Sequence, residues 1–273
     1  MTELTKRILF AVPAAIFFIF VTWLGGFYFV GLITFIALFI QREIAILAGG
    51  AGFEPDSYFP YTIGLWILLT PFLSHNLAIG MGIFLLFVAF QIFKTGDTAI
   101  KNLVGTFFSG IYAPLGLLAI IFIRNMGDAN MGFALTIAAV LMVWGNDVFA
   151  YFGGKYLGKN KMAPTISPNK TWEGFAFGIV GALVGLAIAY YSAPASIPIS
   201  LLTLAPAALL VSIFGPIGDL TASRIKRAAN VKDASDILPG HGGFFDRFDA
   251  LILASPAFYL YLYTLKILGY VSF

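Results

Sequence analysis

The sequence predicts an all-α, polytopic integral membrane protein with about nine transmembrane helices and a cytoplasmic N-terminus. Three observations carry this. Of 273 residues, 60% are hydrophobic and only 11% are charged, against about 25% charged in an ordinary soluble domain. Too little charge remains to cover a water-facing surface. The apolar residues fall in long runs, near the roughly 20 residues that cross a hydrocarbon core about 30 Å thick. These runs lack strict alternation and exceed the roughly ten residues of a barrel strand, so helices are expected.

The spans are expected at 8–24, 27–48, 60–73, 77–93, 102–123, 130–151, 173–193, 198–218 and 244–268. The first follows the charged segment MTELTKR. It is long for the apolar region of a signal peptide, so it is expected to be a retained membrane helix. The third is short and contains Pro71, which predicts a kink; the eighth begins near Ile199 and contains Pro206. Thr22, Thr70 and Gln91 read as ordinary interhelical hydrogen-bonding residues. His75 falls in an outer loop. A cytoplasmic N-terminus puts 14 of the 16 Lys and Arg on the inner side and leaves Arg124 and Lys266 outside. That asymmetry is the one expected of membrane helices, and it places the C-terminus outside.

Composition also excludes several functions. Net charge is only +3, and no basic stripe runs along the chain, so no nucleic-acid partner is expected. With no cysteine there is no disulfide, zinc-thiolate site or cysteine nucleophile. Two histidines, His75 and His241, are too few for a His-rich metal site. No GxxxxGK[ST] phosphate loop occurs. No linker divides the chain, so residues 1–273 read as one membrane domain. Residues 1–135 form a helical scaffold, and 140–273 a catalytic half centred on 215–250. No internal repeat is evident, which weakens a transporter built from inverted repeats.

Three polar constellations stand out, all on the expected inner face. Asn146-Asp147 ends an apolar run, where a carboxylate is costly without a task. The segment 153–174 carries four lysines and no acid before Glu173. Within it, Thr171 and Glu173 suit the start of a helix. Lys170 is unfavourable at a helix N-terminus unless an anion sits there, and such a terminus with its free N–H groups suits phosphate. In residues 215–253, Asp219, Ser223, Lys226 and Arg227 follow at i, i+4, i+7 and i+8, one face of a continuing helix. Pro239-Gly240-His241-Gly242-Gly243 reads as a tight turn whose N–H groups can approach a ligand. Asp246 and Asp249 then open the ninth span. Carboxylates with cations and glycines at one depth suit phosphoryl transfer: a divalent metal held by carboxylates, and cations to neutralise phosphates. Mg²⁺ takes one or two carboxylates with phosphates and water.

These residues resemble the signature of the phosphatidate cytidylyltransferases (CDP-diacylglycerol synthases). The matching positions are Ser223, Lys226, Arg227, Lys232-Asp233, Ser235, Pro239 to Gly243, Asp246-Arg247 and Asp249. Gly218-Asp219-Leu220, the Asn146-Asp147 pair and the Ile166–Gly174 segment match as well. Ala222 departs from the pattern, since many members carry Glu there. The resemblance covers residues 145–250 in detail; the N-terminal half is similar only in hydrophobicity.

The resemblance implies that CTP and phosphatidate give CDP-diacylglycerol and pyrophosphate, in phospholipid biosynthesis, with Mg²⁺ as one or two ions. Asp219 and Asp246 would hold the metal site, with Asp249 and Asp147 as further or supporting ligands. Asp219, Asp246, Lys226 and Arg227 would carry the chemistry. Lys226, Arg227 and Lys170 would neutralise phosphates, and Ser167, Thr171 and Ser223 would donate hydrogen bonds. Asn169, Lys232, His241 and Gly242 would complete the substrate site, His241 orienting the turn or a phosphate. The site would face the cytoplasm at a bacterial-type inner (plasma) membrane, among membrane lipids, with a lateral opening between the seventh and eighth helices. A homodimer through the N-terminal helices is suggested by Gly25-Gly26 and Gly80–Gly82. Two other activities share parts of this pattern. One is a CTP-dependent polyprenol or phytol kinase; the other is a cation-coupled transporter.

Overall fold

The computed structural model of the chain describes residues 3–93, 98–193, 195–238, 240 and 242–271. Lys94, Pro239 and His241 lie outside the described residues, as do the side chains of Lys6 and Arg7. Nine α-helices occur among the described residues. They are α1 (Glu3–Leu24), α2 (Gly26–Gly50), α3 (Phe59–Leu69), α4 (Asn76–Ile92) and α5 (Ala99–Arg124), then α6 (Ala129–Leu157), α7 (Trp172–Ser192), α8 (Leu201–Ala228) and α9 (Phe245–Ile267). Each expected span overlaps one helix. Six of them, α2 and α5 to α9, are long and apolar enough to cross a membrane. Among the described side chains the apolar stretch of α1 covers Ala11–Leu24, and α3 with its extension to Phe72, and α4, are shorter apolar helices. After Leu69 the backbone tightens into a 3-10 turn, Thr70–Phe72, which holds Pro71.

The connection expected as a loop after the sixth span differs. Helix α6 runs on to Leu157, and a short antiparallel hairpin follows. Strand β1 (Lys161–Ala163) pairs with β2 (Ser167–Thr171), Lys161 opposite Thr171 and Ala163 opposite Ser167. Pro164 and Pro168 cannot donate the N–H that a continuing helix needs, so the chain turns back on itself.

Helix α2 runs through the core. It buries Ile33, Ile36, Ile40, Ile44 and Leu47 at three- and four-residue spacing. Helices α6 and α7 pack closely, as do α8 and α9. The first pair touches at Gly145 and Gly181, where a Cβ on either residue would strike the facing backbone. Polar residues fasten the scaffold half. Gln41 Nε2 donates to the carbonyls of Pro60 (2.6 Å) and Gly110 (3.3 Å), tying α2 to α3 and α5. Buried Arg124, at the end of α5, donates to the carbonyls of Thr22 (2.6 Å) and Trp23 (3.1 Å). It satisfies acceptors that the end of α1 leaves open.

Thr22 and Thr70 do not bond across helices as expected. Their hydroxyls donate to Phe18 (2.7 Å) and Trp66 (2.9 Å), four residues back in their own helices, a reach that helix geometry makes easy. The amide of Gln91 is buried without a partner among the described residues. The glycines that suggested a dimer are partly used within the chain. Gly25 packs on the Arg124 guanidinium and Gly80 on the Trp66 ring, while Gly26 and Gly82 meet nothing within 4 Å.

Candidate active site

Helices α8 and α9 cross in backbone contact at Gly218, where any Cβ would strike the carbonyl of Asp249. The crossing brings together the acids that follow Gly218 and those that open α9. On α8, Ser223 Oγ donates to Asp219 Oδ1 at 3.3 Å. One turn on, Lys226 Nζ meets Asp246 Oδ1 at 2.5 Å, with the two side chains only 11% and 6% exposed. Asp246 Oδ2 accepts from the backbone N–H groups of Ala234 (2.9 Å) and Gly243 (3.0 Å). The chain before α9 folds tightly: Leu238 N donates to Gly242 O at 2.9 Å. Gly240 (φ 73°) and Gly242 (φ 76°) take the left-handed backbone that such a turn requires.

The hairpin supplies the second cation. Thr171 caps α7, its hydroxyl accepting from Gly174 N at 3.1 Å. Glu173 accepts from the N–H groups of Lys159 (3.1 Å) and Asn160 (3.2 Å), so the hairpin is held against α7. Lys170 Nζ then reaches Asp219 Oδ2 at 2.7 Å and the carbonyl of Pro216 at 3.3 Å. The anion that the sequence demanded beside Lys170 is therefore, in the protein alone, the Asp219 carboxylate. Ser167 and Asn169 lie on β2 without a side-chain bond to the carboxylates.

Two more acids complete the cluster. Asp147 on α6 is within Coulomb range of Asp219 and Lys170. Asp249 on α9 is within Coulomb range of Asp219, Lys226 and Asp147. Its Oδ1 accepts from Ala250 N at 2.7 Å. Asn146, beside Asp147, is buried with its Nδ2 unpartnered. Carboxylates from three helices thus lie within Coulomb range of one another, with Lys170 bound to Asp219 and Lys226 to Asp246. Arg227 does not join them. It is exposed and donates to Val231 O at 2.8 Å, closing the end of α8, and Lys232 is exposed beyond it. His241 cannot be assigned, being outside the described residues.

Comparison with known proteins decides what this arrangement belongs to. The model of the cytidylyltransferase family matches residues 5–265. The chain belongs to the cytidylyltransferase family. The phosphatidate cytidylyltransferase of Bacillus subtilis is 33% identical over 279 aligned residues, 96% of this chain and 98% of that protein. That of Brucella abortus is 40% identical over 152 residues, 55% of this chain and 54% of the relative. That of Pseudomonas aeruginosa is 44% identical over 124 residues, 45% of each. The expected family membership is borne out. The Bacillus alignment also covers the N-terminal half, where the sequence alone offered only hydrophobicity.

That half contributes a residue which sequence reasoning missed. Glu43, on α2, is fully buried. Its Oε1 accepts from Ser235 Oγ (2.5 Å) and Phe244 N (3.0 Å), and its Oε2 from Phe245 N (2.6 Å). It caps α9 from across the bundle, where Phe244 offers no side-chain cap of its own. The available signal was the residue itself, an acid inside the apolar run 27–48, since such residues seldom lack a role.

An apolar groove of about 870 Å³ runs between α5 and α9, lined by Leu103, Phe107, Ile111, Tyr112, Leu253 and Tyr259 among others. Tyr112, on this groove, lies within Coulomb range of Asp249.

Oxygen donors alone suit a hard divalent ion. A carboxylate offers about four lone-pair sites. Among the described residues, Asp246 spends three on Lys226, Ala234 and Gly243, Asp219 two on Lys170 and Ser223, and Asp249 one on Ala250. As the side chains stand, no three acids or histidines among the described residues gather as a metal-binding group. Among the described residues Asp147 spends none, so Asp147 and Asp249 keep the most capacity, Asp219 keeps two sites and Asp246 one.

Proposed function

We propose that the chain transfers the cytidylyl group of CTP to phosphatidate, giving CDP-diacylglycerol and pyrophosphate. The observation that carries this reading is the pair of lysines, Lys170 and Lys226, set against carboxylates from α6, α8 and α9 in a chain of this family. An oxygen of the lipid phosphate attacks the α-phosphorus of CTP in line. The new bond forms there as the bond from the α-phosphorus to the bridging oxygen of pyrophosphate breaks, and that oxygen leaves with the electron pair. A phosphate monoester has a second pKa of about 6, so the attacking group is already largely anionic and needs no strong base. What it needs is relief from repulsion by the triphosphate. Lys170 and Lys226 are suited to turn from their aspartates to the phosphates and to follow the charge onto the leaving group. Ser223 and the Gly242 N–H would donate hydrogen bonds.

Asp147, Asp219 and Asp249 would hold Mg²⁺, with Asp246 offering its remaining lone-pair site. When bound, the ion would supply charge neutralisation between the two polyanions. The groove between α5 and α9 suits an acyl chain of the lipid, with Tyr112 at its polar end. We also propose nine crossings with the N-terminus and the site on the cytoplasmic side, on the distribution of Lys and Arg.

The test is pyrophosphate release by the purified protein from CTP and Mg²⁺, with and without phosphatidate. Release that depends on phosphatidate and matches the lipid product mole for mole supports the reading. CDP formed without pyrophosphate would replace it with a kinase.

A further inference from the structure

We infer that Glu43 is a positioning residue for the transfer, acting through the turn that presents Asp246; this rests on the reaction proposed above. Its carboxylate is fully buried, and no cation pairs with it among the described residues. A buried charge of this kind is tolerated only when its lone pairs are filled. Here Ser235 Oγ, Phe244 N and Phe245 N fill three of about four sites, at 2.5, 3.0 and 2.6 Å, and the positive end of α9 adds to them.

The three donors flank Asp246 in sequence, and Asp246 Oδ2 accepts from Gly243 N, the residue just before Phe244. The carboxylate also lies flat against the turn: a Cβ on Gly243 would stand 2.5 Å from Glu43 Oε1. Ser235, beside Ala234, extends the same grip to the other N–H on Asp246. One side chain of the scaffold half thus fixes both strands of backbone that orient Asp246, and through it Lys226. The carboxylate, fully buried with three donors upon it, faces the turn rather than the Asp147–Asp219–Asp249 cluster.

The test compares wild type with Glu43→Gln, which keeps the size but turns one acceptor into a donor facing N–H groups. Two readouts are taken: kcat and KM for CTP, and hydrogen exchange at the amides of Ala234, Gly243, Phe244 and Phe245. A positioning role is expected to lower kcat about 10²-fold, the scale of a misplacement near 1 Å, with KM for CTP changed less than about threefold. Exchange should quicken at Ala234 and Gly243, which bond to Asp246 and not to Glu43. Exchange quickened only at Phe244 and Phe245, or a kcat within twofold of wild type, would overturn the proposal. If Glu43→Gln does not fold, Ser235→Ala removes one donor and leaves the carboxylate. It is expected to show the same pattern at about tenfold, and an unchanged kcat would again overturn it. A wild-type protein with no cytidylyl transfer would sink the reaction and leave the exchange data to decide the positioning role.

Discussion

Lys226 and Asp246 allow stability and chemistry to be separated at the level of single residues. Both side chains are nearly enclosed, and removing one partner of a buried pair costs about 3–5 kcal/mol. Lys226→Met is expected to lower thermal stability in detergent by that order and to abolish transfer. Lys226→Met with Asp246→Asn keeps an acceptor for the Ala234 and Gly243 N–H groups without leaving a lone charge. Thermal unfolding should recover much of the loss while transfer stays absent; recovery of both would make the pair structural. Lys170 and Asp219 behave differently. Asp219 is 38% exposed, and an open pair of this kind contributes about 0–1 kcal/mol. Lys170→Ala should therefore leave the melting temperature nearly unchanged and raise KM for CTP at least tenfold. Unchanged steady-state kinetics would remove Lys170 from the site.

At the scale of elements, the crossing of α8 and α9 sets the distance between the acids. Gly218 and Gly215 lie one turn apart on α8 and make a controlled pair. A Cβ at Gly218 would collide with the backbone of α9, whereas at Gly215 it would make ordinary contact with Ala250 at 3.9 Å. Gly218→Ala is expected to lose about 1–3 kcal/mol of stability through overpacking, and activity with it. Gly215→Ala should be close to neutral in thermal unfolding and transfer assays. Equal effects at the two positions would mean that this contact does not govern the site.

Helical spacing explains which parts of this element were legible in the sequence. At 3.6 residues per turn, Ser223 lies about 40° and Lys226 about 20° from Asp219, but Arg227 about 80°. The first two join the cluster, and Arg227 folds onto Val231 instead. The need for an anion beside Lys170 was legible, but its identity was not. It depends on a hairpin whose strands carry no apolar alternation. Glu43 was hidden for another reason. Its partners lie about 200 residues away, and only the packing of α2 beneath the start of α9 brings them together.

For the whole molecule, the helical order and the spans followed from hydrophobic runs, and the correction was one of length. Among the described residues, six helices are long and apolar enough to cross, and α3 and α4 are shorter. Composition cannot separate a short crossing from a helix packed among others, because both are apolar. The chain has no cysteine, so single cysteines report orientation without background. In the proposed orientation, Lys161→Cys on β1 should react with a membrane-impermeant maleimide only in inverted vesicles. Asn125→Cys, just after α5, should react only in right-side-out ones. The reverse pattern would turn the site away from the cytoplasm.

The most direct measurement follows the α-phosphorus itself. Purified protein in detergent would receive CTP labelled at that atom, Mg²⁺ and phosphatidate, beside folded Asp246→Asn as control. The expected result is label in the lipid, equimolar with pyrophosphate, and its loss in the control. Unlabelled lipid from folded wild-type protein would contradict cytidylyl transfer, and a fully active Asp246→Asn would contradict the site.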